Sequence, residues 1–304
     1  MADPTFGARA AKALSTRGPL CVGIDPHSQS LRSWGLDDDI AGAEQFCRSI
    51  VDALAAEVAF IKPQSAFFER FGSAGIALLE RVISDSRSAG AQVILDVKRG
   101  DIGSTMQAYA QAYLDSASPL AADAITVSPF LGFGSLRPIL DMAEAHHRGV
   151  FVLALTSNPE GAQVQRAVRR DGRTVAQSII DDAAVVNADA EPLGSVGVVV
   201  GATIKGCRES DRTDRARRTY GITHTAVHSG ETAHDLARLN GPVLVPGMGA
   251  QGGRPSDLPR VLGSAASAAI PAYSREIARR GPSAGGLRSA ARQAVEECRA
   301  VIGR

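Results

Sequence analysis

The amino-acid sequence predicts an α/β protein that folds as a single-domain (β/α)8 TIM barrel over residues 1–304. Three observations support this prediction. Short β-branched or apolar runs recur, each followed by an alanine-rich amphipathic stretch, and this alternation is typical of βαβ units in a parallel sheet. The chain is long enough for eight such units, which close into a barrel. No obvious internal repeat or low-complexity linker divides it into two domains.

Seven of the predicted strands are clear and the eighth is weaker. They cover residues 20–24, 59–61, 93–95, 124–127, 150–155, 196–200 and 243–245, with the weaker one at 266–270. Apolar residues at three- and four-residue steps predict helices around the barrel. These helices cover residues 41–58, 75–88, 104–114, 136–147 and 175–186, and one at 287–302 closes the chain.

The charge distribution argues against a nucleic-acid or membrane-surface partner. Lys and Arg together number 33 and Asp and Glu number 32, so the chain has no global positive field. The arginine-rich segment at residues 205–240 also contains acidic residues, and this mixture predicts a surface insertion instead of a basic binding patch. We therefore expect small molecules as binding partners.

Cysteine use and hydropathy predict a cytoplasmic protein. The 4 cysteines lie far apart and form no C-x-x-C pair, as is usual in a reducing compartment. Nothing near the first residues resembles a secretory signal, and no apolar run is long enough to span a bilayer. Hydrophobic residues make up 44% of the chain and charged residues 21%, which is typical of a globular protein with a buried core.

Ionisable residues lie at the ends of the first three predicted strands, where parallel barrels place their active sites. Asp25 ends the first strand, Lys62 the second, and Asp96 and Lys98 the third. Because alternate residues of a strand point to the same side, Asp96 and Lys98 should project together. A structural salt-bridge network would explain these charges, but a cluster to which several strands contribute favours a functional site. Asp101 is placed to cap the next helix, and its spacing from Lys98 gives it a second interpretation.

The segment LDVKRGDIGST, residues 95–105, resembles the D-x-K-x-x-D-I signature of the orotidine 5′-monophosphate decarboxylase family. Four further matches follow the family's order: GIDP at 23–26, FIKPQ at 60–64, TSNPEG at 156–161 and VPGMGAQGG at 245–253. Together they extend from about residue 18 to residue 275, which is most of the chain. They look closest to the longer bacterial branch of the family.

The resemblance implies a cofactor-independent, metal-free decarboxylase of de novo pyrimidine biosynthesis. Lys98 matches the lysine that protonates C6 of the pyrimidine as carbon dioxide leaves. Asp96 matches the aspartate beside the substrate carboxylate, and Lys62 matches the lysine that supports the charge network and contacts ribose. Asp101 and Thr105 match a pair that the partner subunit of a homodimer donates to the site.

The resemblance also implies a set of substrate-binding residues. Asp25 matches an acceptor for a ribose hydroxyl, and Ser157 matches the residue that reads the pyrimidine edge. Gln251 matches a ligand to base and phosphate, and Arg275 matches the phosphate arginine, although the sequence around it is a loose match. The remaining substrate-binding positions implied by the motifs are Ile102, Pro246, Gly252 and Gly253.

Chemistry agrees with these roles, since loss of carbon dioxide from C6 leaves a carbanion without an electron sink. The site must then stabilise charge electrostatically and supply a proton. Two alternatives remain open at this stage. One is a Mg²⁺-dependent sugar-phosphate lyase with the same aspartate-lysine-aspartate pattern, and the other is a non-catalytic phosphate-ligand binder or RNA-contacting protein.

Two other patterns predict no site. Residues 247–252 spell G-x-G-x-x-G, but the dinucleotide fingerprint needs a following helix, and Arg254-Pro255 interrupts its start. The spacing of His224, His228 and His234 suggests metal ligands, yet no cysteine or carboxylate completes a set. A solvated loop is the preferred interpretation of these histidines.

Overall fold

The structure is a computed structural model that describes residues 3–204 and 234–303. Eight parallel strands form a closed barrel in chain order, with the last strand paired to the first. The predicted single-domain (β/α)8 barrel is therefore confirmed. The strands are β1 Cys21–Ile24, β2 Phe60–Pro63, β3 Gln92–Arg99, β4 Ala124–Val127, β5 Gly149–Leu155, β6 Val196–Val200, β7 Val243–Val245 and β8 Ala269–Tyr273.

Helices surround the barrel, and the first of them closes the end at which the strands begin. Within the described residues they are α1 Phe6–Arg17, α2 Ser28–Ser33, α3 Ile40–Leu54, α4 Ala66–Glu69, α5 Gly72–Ser88, α6 Gly103–Leu114, α7 Arg137–Ala145, α8 Ala162–Gln165, α9 Val175–Val186, α10 Leu258–Leu262, α11 Arg275–Ala278 and α12 Ala284–Ile302. The predicted helices agree with this set to within a few residues. None of these helices is both long enough and apolar enough to cross a membrane.

The eighth strand lies three residues later than the sequence predicts. The predicted strand at 266–270 begins inside a 3-10 helix, Gly263–Ala268, and the strand itself is Ala269–Tyr273. Its position is fixed by pairing, since Val243 lies opposite Ala269 and Val245 opposite Pro271. The alanine-rich sequence gives no periodic signal that could have set this boundary.

Two apolar layers support the barrel. The larger one fills the space between the strands and the outer helices. The smaller one is the barrel interior, where α1 plugs the amino-terminal end through Phe6, Ala10 and Leu14. Phe6 packs edge-to-face on Phe151 of β5 with ring centroids 5.9 Å apart. Because this end is sealed, polar side chains can converge only at the opposite end, where the strands terminate.

One sequence prediction falls largely outside the described residues. Of the proposed surface insertion at 205–240, the structure describes only residues 234–240. His224 and His228 also lie outside the described residues. His234 is described, and it is partly buried.

Candidate active site

A charge network centred on Asp96 joins the carboxyl ends of β2, β3 and β4. Asp96 Oδ2 accepts a hydrogen bond from Lys62 Nζ at 3.0 Å, and Asp96 Oδ1 accepts one from Lys98 Nζ at 2.5 Å. The prediction that Asp96 and Lys98 project together is confirmed. Thr126 of β4 also donates to Asp96 Oδ1, at 2.8 Å. Thr126 was not predicted as a site residue, although a polar residue within the apolar AITV strand was an available signal.

Burial and pairing act against each other in this network. Asp96 and Lys62 are only 7% and 6% exposed. Burial alone would raise the pKa of Asp96, but Lys62 and Lys98 outweigh it and hold that pKa well below its usual value. Burial would likewise lower the pKa of Lys62, but Asp96 and then Asp25 outweigh it and raise that pKa. Asp96 and Lys62 therefore stay ionised, which an isolated buried charge would not.

Lys98 reaches from this buried network into the open end of the barrel. Its side chain is 44% exposed although its ammonium is bonded to buried Asp96. Its backbone has a φ of 47°, in the left-handed region that residues other than glycine rarely adopt. Such conformations persist where the surrounding structure enforces them, and they concentrate at functional sites.

Asp25 lies beside the network, just after β1. Its Oδ1 is buried and has no hydrogen-bond partner among the described residues. The loops after β1 and β8 pack closely there, since a Cβ on Gly23 would lie 2.8 Å from Ser274 Cβ and 3.4 Å from Asp25 Oδ2. A buried carboxylate oxygen that receives no hydrogen bond costs free energy. Asp25 Oδ1 is therefore well suited to accept a hydrogen bond from a ligand hydroxyl.

Asp101 does not cap the helix that follows it. α6 begins at Gly103, its N-cap is Ile102, and no side chain caps it. The Asp101 carboxylate accepts a hydrogen bond from the Ile102 backbone N–H at 2.9 Å instead. The capping prediction is therefore wrong by one position, because Ile102 adopts the extended cap conformation. Within the described chain neither Asp101 nor Thr105 bonds to Asp96 or Lys98.

Ser157 and Gln251 come together across the glycine-rich loop that follows β7. A Cβ on Gly247 would lie 3.2 Å from Gln251 Oε1 and 3.9 Å from Ser157 Oγ. Gly247 has a φ of 91°, and its carbonyl accepts a hydrogen bond from Gly253 N at 3.0 Å. The loop thus turns back on itself and does not open a helix, which agrees with the rejection of a dinucleotide motif. Pro246 is fixed beside it, because its carbonyl accepts from Ala202 N at 3.0 Å.

Arg275 lies just after β8, as the first residue of α11. Its guanidinium forms no ion pair or hydrogen bond with any described residue. Its helix packs against the glycine loop, since a Cβ on Gly249 would lie 2.8 Å from Glu276 Cβ. Gln251, Gly252, Gly253 and Arg275 therefore belong to neighbouring loops at the upper end of β7 and β8. This end of a barrel is where phosphate groups commonly bind.

These features define the class of protein as an α/β-barrel enzyme that presents a lysine, held by a buried aspartate, to the open end of the barrel. A family model described as the orotidine 5′-phosphate decarboxylase / HUMPS family matches residues 18–290. The chain belongs to the orotidine 5′-phosphate decarboxylase family.

Relatives along the whole chain agree with this family. Orotidine 5′-phosphate decarboxylase from Salinispora arenicola is 56% identical over 298 residues, and the match covers 98% of each chain. The enzyme of that name from Streptomyces coelicolor is 50% identical over 297 residues, again covering 98% of each. This chain is accordingly a carboxy-lyase of pyrimidine biosynthesis, of the bacterial type about 300 residues long.

Solved structures show the same fold. A protein from Streptomyces avermitilis, assigned provisionally as orotidine 5′-phosphate decarboxylase, is 51% identical with a TM-score of 0.88, covering 100% of this chain and 98% of that one. UMP synthase from Leishmania donovani is 30% identical with a TM-score of 0.73, covering 99% of this chain and 57% of that one.

Proposed function

We propose that this protein converts orotidine 5′-monophosphate to UMP and carbon dioxide with Lys98 as the proton donor. The observation that carries this role is the Lys98 ammonium, bonded to buried Asp96 and extended into the open end of the barrel. When the C6–carboxylate bond breaks, its electron pair stays on C6 and carbon dioxide leaves. Lys98 stabilises that charge electrostatically and then delivers a proton to C6.

Asp96 and Lys62 have separate tasks in this proposal. Asp96 orients the Lys98 ammonium by pairing with it. In the bound complex Asp96 would lie beside the carboxylate that is lost. Lys62 balances the charge of Asp96 from the buried side at 3.0 Å. Repulsion between Asp96 and the substrate carboxylate would raise the energy of the bound substrate and is relieved when carbon dioxide departs.

The substrate-binding residues fit a nucleotide that lies across the mouth of the barrel. Asp25 offers its unpartnered Oδ1 to a ribose hydroxyl. Ser157 and Gln251 face each other across Gly247, where they would bind the pyrimidine edge. The phosphate would bind at the loops after β7 and β8 through Gln251, Gly252, Gly253 and Arg275, with Pro246 and Ile102 lining the base.

A homodimer with shared sites completes this proposal. Among the described residues, neither Asp101 nor Thr105 forms a hydrogen bond or ion pair with Asp96 or Lys98 of its own chain, so both could serve a partner chain. Beside them, Ile102, Phe130 and Leu131 are exposed by 61%, 76% and 53%, which is unusual for large apolar residues outside an interface. Their loops, after β3 and β4, are joined by a hydrogen bond from Ser128 N to Arg99 O at 2.8 Å.

One further proposal depends on the sequence alone. The protein acts in the cytoplasm, because its 4 cysteines lie far apart and form no C-x-x-C pair, as is usual in a reducing compartment.

The test is the absorbance change of the pyrimidine when orotidine 5′-monophosphate is added to purified, EDTA-treated protein. We expect complete conversion to UMP without added metal. Activity that appears only after Mg²⁺ is restored would favour the sugar-phosphate lyase alternative. A protein that binds the nucleotide but never converts it would favour the phosphate-ligand binder.

A further inference from the structure

The backbone of β3 is irregular where it carries the catalytic side chains. Leu95 pairs with Ile125 of β4, and the next pair joins Arg99 to Val127. Three residues of β3 at positions 96–98 therefore lie opposite the single residue Thr126. On its other side β4 pairs regularly with β5, with Thr126 opposite Phe151. The bulge is confined to β3, and Thr126 is the fixed point that faces it.

The Thr126 side chain bonds to both ends of this bulge. Its Oγ1 accepts a hydrogen bond from the Lys98 backbone N–H at 3.0 Å and donates one to Asp96 Oδ1 at 2.8 Å. Chemistry fixes these directions, since a backbone N–H can only donate and an ionised carboxylate can only accept. Because the bulge interrupts the regular pairing with β4, the Lys98 N–H donates to the Thr126 hydroxyl instead of to a backbone carbonyl of β4. It also orients the carboxylate to which the Lys98 ammonium bonds.

We propose that Thr126 is a positioning residue for the decarboxylation, holding the main chain of Lys98 and the carboxylate of Asp96 in one arrangement. This inference rests on the roles proposed above for Lys98 and Asp96. Without the hydroxyl, the left-handed backbone at Lys98 loses its hydrogen bond and Asp96 loses a donor. The lysine would then approach C6 less accurately, and small misplacements of reacting groups cost large factors in rate.

A purely structural role is the competing explanation, because Thr126 is only 1% exposed and any buried hydroxyl needs partners. The two explanations predict different kinetics. A structural defect lowers thermal stability and the amount of active enzyme, whereas a positioning defect lowers kcat in protein that remains folded. The positioning defect also leaves the Kd of UMP unchanged, since UMP has no carboxylate to place beside Asp96.

The experiment compares Thr126→Val with Thr126→Ser. Valine keeps the branched shape and removes the hydroxyl, and serine keeps the hydroxyl and removes the methyl group. The matched control is Thr174→Val, which removes another buried threonine hydroxyl, the one that caps α9 by accepting from Gln177 N at 3.0 Å. Each variant is measured for kcat and KM with orotidine 5′-monophosphate, for the Kd of UMP, and for Tm. Lys98→Ala is assayed in parallel.

We expect Thr126→Val to lower kcat at least tenfold while the Kd of UMP stays within threefold of wild type. Thr126→Ser should recover most of the rate, and Thr174→Val should lower Tm without lowering kcat. The inference is overturned if Thr126→Val keeps wild-type kcat, if serine and valine lose rate equally, or if kcat falls only in step with the folded fraction. Wild-type activity in Lys98→Ala would instead overturn the proposed function itself.

Discussion

The backbone of Lys98 is held in an unfavourable left-handed conformation at the mouth of the barrel. A left-handed backbone costs a residue with a Cβ about 1–2 kcal/mol. The ion pair with Asp96 and the hydrogen bond from the Lys98 N–H to Thr126 offset that cost. Because the pKa of Asp96 is lowered on folding, its ion pairs stabilise the protein above the usual carboxyl pKa range. That contribution is lost only as the pH falls through the folded pKa.

Replacing Lys98 should stop the chemistry without stopping binding. Removing a general acid typically costs about 10²–10⁴-fold in rate, so Lys98→Ala should lower kcat at least 100-fold. The Kd of UMP should change little, since the phosphate end of the site remains. The measurement is steady-state kinetics with calorimetric titration of UMP, and Lys12→Ala, which changes an exposed lysine of α1, is the control. More than about one hundredth of wild-type kcat remaining would contradict a proton-donor role.

Arg275 allows the phosphate site to be tested with two substrates. A hydrogen bond to a charged group is worth about 1.5–3 kcal/mol, so Arg275→Ala should raise KM for orotidine 5′-monophosphate roughly tenfold or more. The same change should leave kcat/KM for orotidine, which lacks the phosphate, within twofold. In the wild type, orotidine should lose kcat as well as affinity, because phosphate binding energy is used at the reacting carbon.

Arg279→Ala is the matched control for Arg275→Ala, since Arg279 lies at the exposed end of the same helix and pairs with Glu276 at 3.7 Å. It should leave both substrates unaffected. If Arg275→Ala slows both substrates equally, or if wild type uses both equally well, the phosphate site lies elsewhere.

At the scale of elements, the loop after β7 depends on glycine conformations. Gly247, Gly249 and Gly252 all have positive φ, and hydrogen bonds within the loop close it into a compact turn. A side chain at Gly247 would also crowd Gln251, whose Oε1 would lie 3.2 Å from the new Cβ. The loop therefore serves to bring Gln251 opposite Ser157.

Gly247→Ala should weaken both the loop and the site. An L side chain in this conformation costs about 1–3 kcal/mol, so the free energy of unfolding should fall by that amount. KM for orotidine 5′-monophosphate should rise several-fold as Gln251 is displaced. Gly285→Ala is the control, because Gly285 lies exposed near the start of α12. Apart from its own helical turn, no described residue has an atom within 4 Å of the position that an added Cβ would take. Alanine there should stabilise the protein by about 0.4–1 kcal/mol. Urea denaturation and kinetics would measure both effects, and equal behaviour of the two variants would contradict the prediction.

At the scale of the whole molecule, the proposed homodimer would place the exposed apolar residues beside Asp101 in a two-fold interface. Such an interface is isologous, so whatever one chain lends to its partner it also receives. Each site would then combine Asp96 and Lys98 of one chain with Asp101 and Thr105 of the other. A single chain would hold only part of a site.

Mixing two inactive variants tests this arrangement. Lys98→Ala chains and Asp101→Ala chains, each inactive alone, should form heterodimers with one intact site and one doubly defective site. Activity should rise on mixing, toward about one quarter of the wild-type value if the chains are present equally and assort at random. Exchange is verified with differently tagged chains. A mixture that exchanges and stays inactive would show that Asp101 acts within its own chain.

The sequence by itself determined the barrel and indicated the residues that are proposed to carry the chemistry. Alternating apolar runs and amphipathic stretches are local patterns, and they define βαβ units without knowledge of any distant contact. The D-x-K-x-x-D-I segment is also local, so Asp96, Lys98 and Asp101 could be identified from residues 95–105 alone.

The tertiary structure decided whatever depends on pairing between strands. The bulge that turns Lys98, the position of Thr126 opposite it and the start of β8 all follow from strand register. Likewise, Ser157 follows β5 and Gln251 follows β7, and the closed barrel brings both side chains close to Gly247. No local pattern encodes such a distance.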